Sequence, residues 1–261
     1  MKIHPTAIVS EQARISSQAE IGPYSVINGE VEIGAGTIIE SHVRIGSRFG
    51  NVVIGENNFI QSGATLGGPP QDWNYEDSQT SLVIGDHNRI GEDASLNLGT
   101  DKGGGVTRVG DNTFIMAYAH VGHDCQIADA AVLTNLSQLA GHVIVERNVI
   151  ISGVVGVTQF ARLGEFSFVA AGAFVNKDIL PYTIAEGHWA APKATNKVGL
   201  KRAGCSTTDI RDIDRAIRIL LRKTLTIEEA LEKIQTACHT NAWIEHLVEF
   251  INSSDRGIAR A

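Results

Sequence analysis

The chain has 261 residues, 43% of them apolar and only 6% aromatic, with 27 glycines, a composition that suits a long, thin, regularly turning structure better than a bulky globular core. A formal net charge of −7 argues against a general nucleic-acid binder, which needs a basic surface, while leaving room for a local basic patch. No stretch approaches the roughly 20 apolar residues of a membrane span, Met1-Lys2-Ile3-His4-Pro5 lacks an apolar signal core, and Cys125, Cys205 and Cys238 are too scattered for a disulfide framework, so a soluble cytoplasmic protein is expected.

From the N-terminus, Ile3, Val9, Ile15, Ile21, Ile27, Ile33, Ile39 and Ile45 fall six residues apart. The series slips, resumes at Ile54, Ile60 and Leu66, then restarts at Ile84, Ile90 and Leu96. A last unbroken run goes from Val109 through Val121, Leu139 and Val157 to Val175. An α-helix cannot use this spacing, because six residues advance about 600° and the apolar stripe would spiral around it. A coil with three short flat sides and one inward apolar residue per side satisfies it, with about eighteen residues per turn and parallel pairing between turns. Gly, Asn and Asp are expected at the corners.

Two excursions interrupt the ladder, at 67–83 and 99–108, and long loops inside a strict repeat are usually functional. The first carries Gly68-Pro69-Pro70-Gln71-Asp72-Trp73 and the second Gly99-Thr100-Asp101-Lys102-Gly103-Gly104-Gly105. After Pro181 the pattern changes. Ser206-Thr207-Thr208-Asp209 reads as a helix start with Ile210, Ile213, Ile217 and Leu220 inside; Thr226-Ile227-Glu228-Glu229 opens a second helix, and a third runs from Ala242 to Asn252. The expected organisation is a β-helix domain over 1–185 and a helical domain over 186–261, with the end fraying from Gly257.

The eighteen-residue turn places side chains in columns. His120 and His123 bracket the inward Val121, and His142 sits one turn on, over Asp124 and beside the column of His123, within about 5 Å of them by strand spacing. Neutral imidazole can take a proton from an attacking hydroxyl, and an adjacent carboxylate such as Asp124 can fix its tautomer. His4, His42, His87, His239 and His246, outside this cluster, read as surface filler, and Cys125 as a small packing residue. Lys193, Lys197, Lys201 and Arg202 form a basic stretch in an acidic chain, either a solvated face or a docking patch for an anionic partner.

Ala119-His120-Val121-Gly122-His123-Asp124-Cys125, Leu139-Ala140-Gly141-His142-Val143, Gly68-Pro69-Pro70-Gln71-Asp72 and Gly199-Leu200-Lys201-Arg202 together resemble, over the whole chain, the hexapeptide-repeat acyltransferases that load UDP-N-acetylglucosamine from acyl carrier protein at the start of lipid A synthesis. The resemblance implies a left-handed parallel β-helix followed by a small C-terminal α-helical domain, a homotrimer with sites between subunits, and transfer of an acyl chain (a 3-hydroxyacyl chain) to the sugar 3-hydroxyl. It implies His123 as the base, Asp124 supporting it, and the Gly141 amide stabilising the oxyanion. Gln71, Asp72, His120, His142 and Gln159 would contact substrate, and Asn196 and Arg202 the nucleotide. Ala171 and Trp189 would bound the acyl groove; both are bulkier than the family pattern there, which predicts a shorter acyl chain. No cofactor or metal is implied, acyl carrier protein being a co-substrate.

Asn74, Asn97, Thr158 and Val198 depart from the family pattern at substrate-contact positions. Two other readings follow. A paralogue could acylate a different UDP-sugar, including at nitrogen, and His120, His123 and His142 could ligate zinc as in a γ-type carbonic anhydrase, although their spacing is not that family's.

Overall fold

The computed structural model describes residues 2–260. Consecutive strands, most of them two residues long, fall in three different sheets: Lys2–Ile3 in one of 11 strands, Ile8–Val9 in one of 9, and Arg14–Ile15 in one of 8. Pairing along the coil is parallel, with Ile3 opposite Ile21, Ile21 opposite Ile39 and Leu133 opposite Ile151. This is a parallel β-helix, and the inward residues of the hexads form its core: Ile21, Ile39, Ile60, Ile90, Ile115, Leu133, Ile151 and Val169 are all buried. Ile3, Val9 and Ile15, on the first described coil, are only partly buried and pack against this core.

A second inward layer was not legible in the hexads. Ala119, Cys125, Ala131, Val143 and Val149 are also buried, alternating with the large residues around each coil. Cys125 belongs to this layer; burial pushes its thiol up to about 12, so it packs rather than reacts.

The corners differ from expectation. From Asn112 to Phe166 every sixth residue has φ between 54° and 64°, and these include Tyr118, Leu136, His142, Val154 and Phe160 as well as Asn and Asp. The left-handed region costs a side-chain-bearing residue roughly 1–2 kcal/mol. Inter-coil hydrogen bonds offset it: the corner amides of Leu136, His142 and Val154 donate to the carbonyls of Ala117, His123 and Asn135 in the coil before. Glycines that follow inward residues serve a different need. At Gly22 a Cβ would stand 2.6 Å from the Glu40 carbonyl carbon, so the close approach of the next coil excludes any side chain.

The two excursions are narrower than expected, because their flanks pair: Thr80–Ile84 lies against Gly50–Ile54, and Val106–Val109 against Ser81–Ile84. The second excursion contains a short 3-10 turn, Asp101–Gly103. Past the last coil the chain makes an antiparallel hairpin, Thr183–Glu186 with Ala191–Thr195, that extends the largest sheet across position 186. Helices begin only at α1 (Lys197–Arg202), which the apolar spacing does not reveal, and continue as α2 (Thr207–Leu220), α3 (Ile227–Ala237) and α4 (Ala242–Asn252). The Ser206 hydroxyl caps α2, and Thr226 with Glu229 forms a reciprocal capping box on α3.

Their shared core of Ile213, Ile217, Leu220, Ile234, Leu247 and Phe250 packs with Phe166 and Tyr182 from the β-helix end. The segment from Gly257, expected to fray, is held instead: Asp178 exchanges backbone hydrogen bonds with Gly257 and Ala259, burying Ile258 and Ala259. Among the described residues no helix is long and apolar enough to cross a membrane.

Candidate active site

His123 and Asp124 occupy one corner of the coil, and both are buried. The left-handed backbone at Asp124 (φ 60°) turns its carboxylate back toward the preceding imidazole, where His123 Nδ1 donates to Oδ2 at 2.8 Å. That fixes the ring: with its proton on Nδ1, the neutral imidazole keeps a lone pair on Nε2. The second excursion holds the carboxylate from behind. Thr100 donates its amide to Asp124 Oδ1 and its hydroxyl to Oδ2, both at 2.7 Å. Gly103 lies so close that a Cβ would fall 2.0 Å from the carboxyl carbon. Burial pushes the Asp124 carboxyl upward, but the hydrogen bonds from His123 and Thr100, helped by the nearby His142, outweigh it and leave the group below its ordinary value. Asp124 is therefore a carboxylate at neutral pH.

His142 sits one coil on, at the same corner. Its Nε2 is 3.6 Å from Asp124 Oδ2, its ring meets that of His123 edge-on, and its other side stacks on Phe160 with centroids 4.5 Å apart. Burial, partly countered by Asp124, lowers its pKa, and burial with the neighbouring His123 does the same for His120. Both are neutral at pH 7, suited to hydrogen bonding rather than to charge. Nδ1 of His120 is paired with the Ser95 hydroxyl at 2.8 Å, which orients that ring.

His120, His123, Gly141, Gln71 and Gln159 share one open cleft of about 440 Å³. Asp72 lies near enough to His142 for its charge to counter a little of the lowering of that ring's pKa. Asn196 and Arg202 are not among the residues lining this cleft. Asn196 caps α1 and holds the Phe166 carbonyl through its amide, while Arg202 lies exposed in the last turn of α1. Of the basic stretch, Lys197 is already paired with Asp214 at 2.9 Å.

Phe174, which stands opposite Gly156 in the ladder, also lines the cleft. A Cβ on Gly156 would touch the Phe174 ring at 3.0 Å, so glycine there makes space that the ring partly fills. Phe174 leans on His188, and His188 on Trp189, so Trp189 backs the wall rather than lining it. Ala171 is exposed. Spacing alone missed Thr100, Ser95, Phe160 and Phe174; only the glycine density around Thr100 signalled a tight packing partner.

The zinc reading is not met as expected. His120 stands outside the one group able to converge on an ion among the described residues, which is His123, Asp124 and His142.

Two family models match the chain: one for bacterial transferase hexapeptide repeats over residues 2–47, and one described as UDP-N-acetylglucosamine O-acyltransferase, domain 2, over residues 178–259. Curated relatives named acyl-[acyl-carrier-protein]–UDP-N-acetylglucosamine O-acyltransferase include those of Myxococcus xanthus, 44% identical, and Halorhodospira halophila, 42% identical, each covering 99% of both chains. Among solved structures, the UDP-N-acetylglucosamine acyltransferase of Francisella novicida superposes with a TM-score of 0.94 at 41% identity, covering 99% of this chain and 94% of that one. That of Campylobacter jejuni gives 0.92 at 32% identity and covers 100% of each. These names favour neither amide formation nor a zinc lyase.

Proposed function

The chain belongs to the acyl-carrier-protein-dependent UDP-N-acetylglucosamine O-acyltransferase family, and from that membership we propose how its own residues carry the reaction. It is an acyltransferase that moves an acyl chain from the carrier-protein thioester to UDP-N-acetylglucosamine, the first step of lipid A synthesis. The observation that carries the mechanism is the buried His123–Asp124 pair at 2.8 Å, opening through His123 onto the cleft.

In this reading His123 Nε2 takes the proton from the sugar 3-hydroxyl as its oxygen attacks the thioester carbonyl. Asp124 stabilises the imidazolium that forms. The Gly141 amide, at the cleft wall beside His123, donates to the oxyanion. Collapse of the tetrahedral intermediate expels the thiolate, which recovers the proton from His123. Gln71, Asp72, His120, His142 and Gln159 hold sugar and acyl groups, and the 3-hydroxyacyl chain runs along the outward column from His120 past Gly156 toward Phe174. Ala171 and Trp189, with Phe174, shorten that groove and select a shorter acyl chain.

Asn196 and Arg202 bind the nucleotide of a neighbouring protomer's site in a homotrimer, the β-helix being left-handed, domain 1–185 carrying catalysis and 186–261 closing it. An apolar corner column supports self-association: Tyr118, Leu136 and Val154, one above the other, are 55%, 48% and 60% exposed. The enzyme works in the cytoplasm, without a cofactor. Turnover of UDP-N-acetylglucosamine with acyl carrier protein by the wild type and by His123→Ala tests the reading; full turnover by the variant removes the base.

A further inference from the structure

His123 Nδ1 is 2.8 Å from Asp124 Oδ2, His142 Nε2 is 3.6 Å from the same oxygen, and the three residues each offer a ligand atom within 4.8 Å of the other two. Three atoms within 4.8 Å of one another all lie within about 2.8 Å of a common point, against ~2.0–2.2 Å for zinc bonds to imidazole and carboxylate. A closure of at most about 0.7 Å completes three-fold coordination. The two amide and hydroxyl bonds from Thr100 already orient the carboxylate, as outer partners do in built metal sites. Two imidazoles with one carboxylate suit a borderline ion such as zinc, and disfavour magnesium and calcium, which take oxygen ligands.

We propose that His123, Asp124 and His142 form an inhibitory zinc site built into the active site. The chemistry follows from the tautomer. Zinc on Nδ1 displaces the proton that bonds Asp124, and a neutral ring metallated there carries its proton on Nε2. The lone pair that faces the cleft is lost, and the carboxylate that steadied the imidazolium is spent on the ion. His142, whose side chain is 23% exposed, provides the way in and anchors the ion on its accessible side. The inhibitory consequence rests on His123 being the base; the binding does not.

The full-length chain titrated with zinc against a fluorescent chelator is expected to bind one ion, with affinity at least tenfold weaker in His142→Ala and in Asp124→Asn, and no competition from magnesium or calcium. Zinc-edge anomalous diffraction from wild-type crystals, which is independent of variant folding, is expected to place the ion between the three atoms. Turnover is expected to fall with occupancy and return with EDTA. Absence of stoichiometric binding, unchanged affinity in both variants, or an anomalous peak elsewhere overturns the site. Zinc bound there without loss of turnover overturns its inhibitory role. Binding is read without substrate, so a failure of the acyltransferase reading shows only in the assay.

Discussion

Gly141 lies against the imidazole of His123 so closely that a Cβ would stand 2.4 Å from Cε1 and 2.5 Å from Nε2. The residue that borders the base in the next coil is thus required to have no side chain. Gly141→Ala is expected to displace the ring rather than unfold the coil, costing about 1–3 kcal/mol of stability by overpacking and on the order of 100-fold in kcat by misplacement. Thermal melts and steady-state kinetics on the same preparation separate the two; a variant with normal kcat would show that the ring does not need this seat.

Asp124→Asn keeps the shape at the corner but removes the charge and puts a donor where His123 donates. The imidazole loses its preferred tautomer, and kcat is expected to fall by about 10²–10⁴, the usual range for general-base catalysis. The KM for the sugar nucleotide should change little, since the buried carboxylate does not line the cleft. A KM effect without a kcat effect would reassign Asp124 to binding.

The Phe174 side of the cleft predicts a donor preference. In Trp189→Ala or Phe174→Ala the optimum should move to longer acyl chains, by roughly fourfold in relative kcat/KM for each methylene newly accommodated, from about 0.8 kcal/mol per buried group. Competition among carrier-protein donors of graded length measures this. A uniform loss at every length would mean that these residues only support the wall.

Val154 stands exposed in the left-handed region, an unfavourable place for a β-branched residue. If the apolar corner column is the face between protomers, Val154→Asp should yield monomers in light scattering while the parallel-strand circular dichroism is kept. Retention of the wild-type mass would move the interface to another face.

His246, on α4, ties the helical unit to the β-helix. In the protonated ring its Nδ1 donates to the buried Tyr182 hydroxyl oxygen at 2.7 Å and its Nε2 to Glu146 at 3.0 Å. The Glu146 hydrogen bond raises its pKa against burial, with Glu146, Glu165 and Glu249 adding negative charge; Arg147 and Arg162 pair with the same carboxylates. A folded pKa above the unfolded value means that this stabilisation is complete below the ordinary histidine range and is lost as pH rises through the folded value. His246→Gln should therefore cost about 1 kcal/mol near pH 6 and much less at pH 9. Urea unfolding of both proteins across that range measures the difference, and a pH-independent gap would refute the charged latch.

The coil was legible because its rule is local and repeated. Each hexad needs one inward apolar residue, and eighteen residues return the chain to the same face, so Ile21 opposite Ile39 and His142 over Asp124 follow from counting. The corners were less legible, since the coil imposes a left-handed backbone that Tyr118 or Val154 would not choose alone. The inserts hid Thr100 as a partner of Asp124, because a loop's hydrogen bonds depend on where the coils beneath it place their acceptors. The six-residue short helix at Lys197–Arg202 has too few turns to display a period.

By itself, then, the order of residues determined the repeat, its register, the caps of the long helices and which histidines could share a corner. Only the tertiary structure decided that His120 stands apart from the trio around Asp124, that Trp189 backs the cleft through His188 and Phe174, and that the tail from Gly257 is clamped by Asp178. Periodicity gives a column and a height, whereas side-chain direction and inserted loops depend on contacts between residues far apart in the chain.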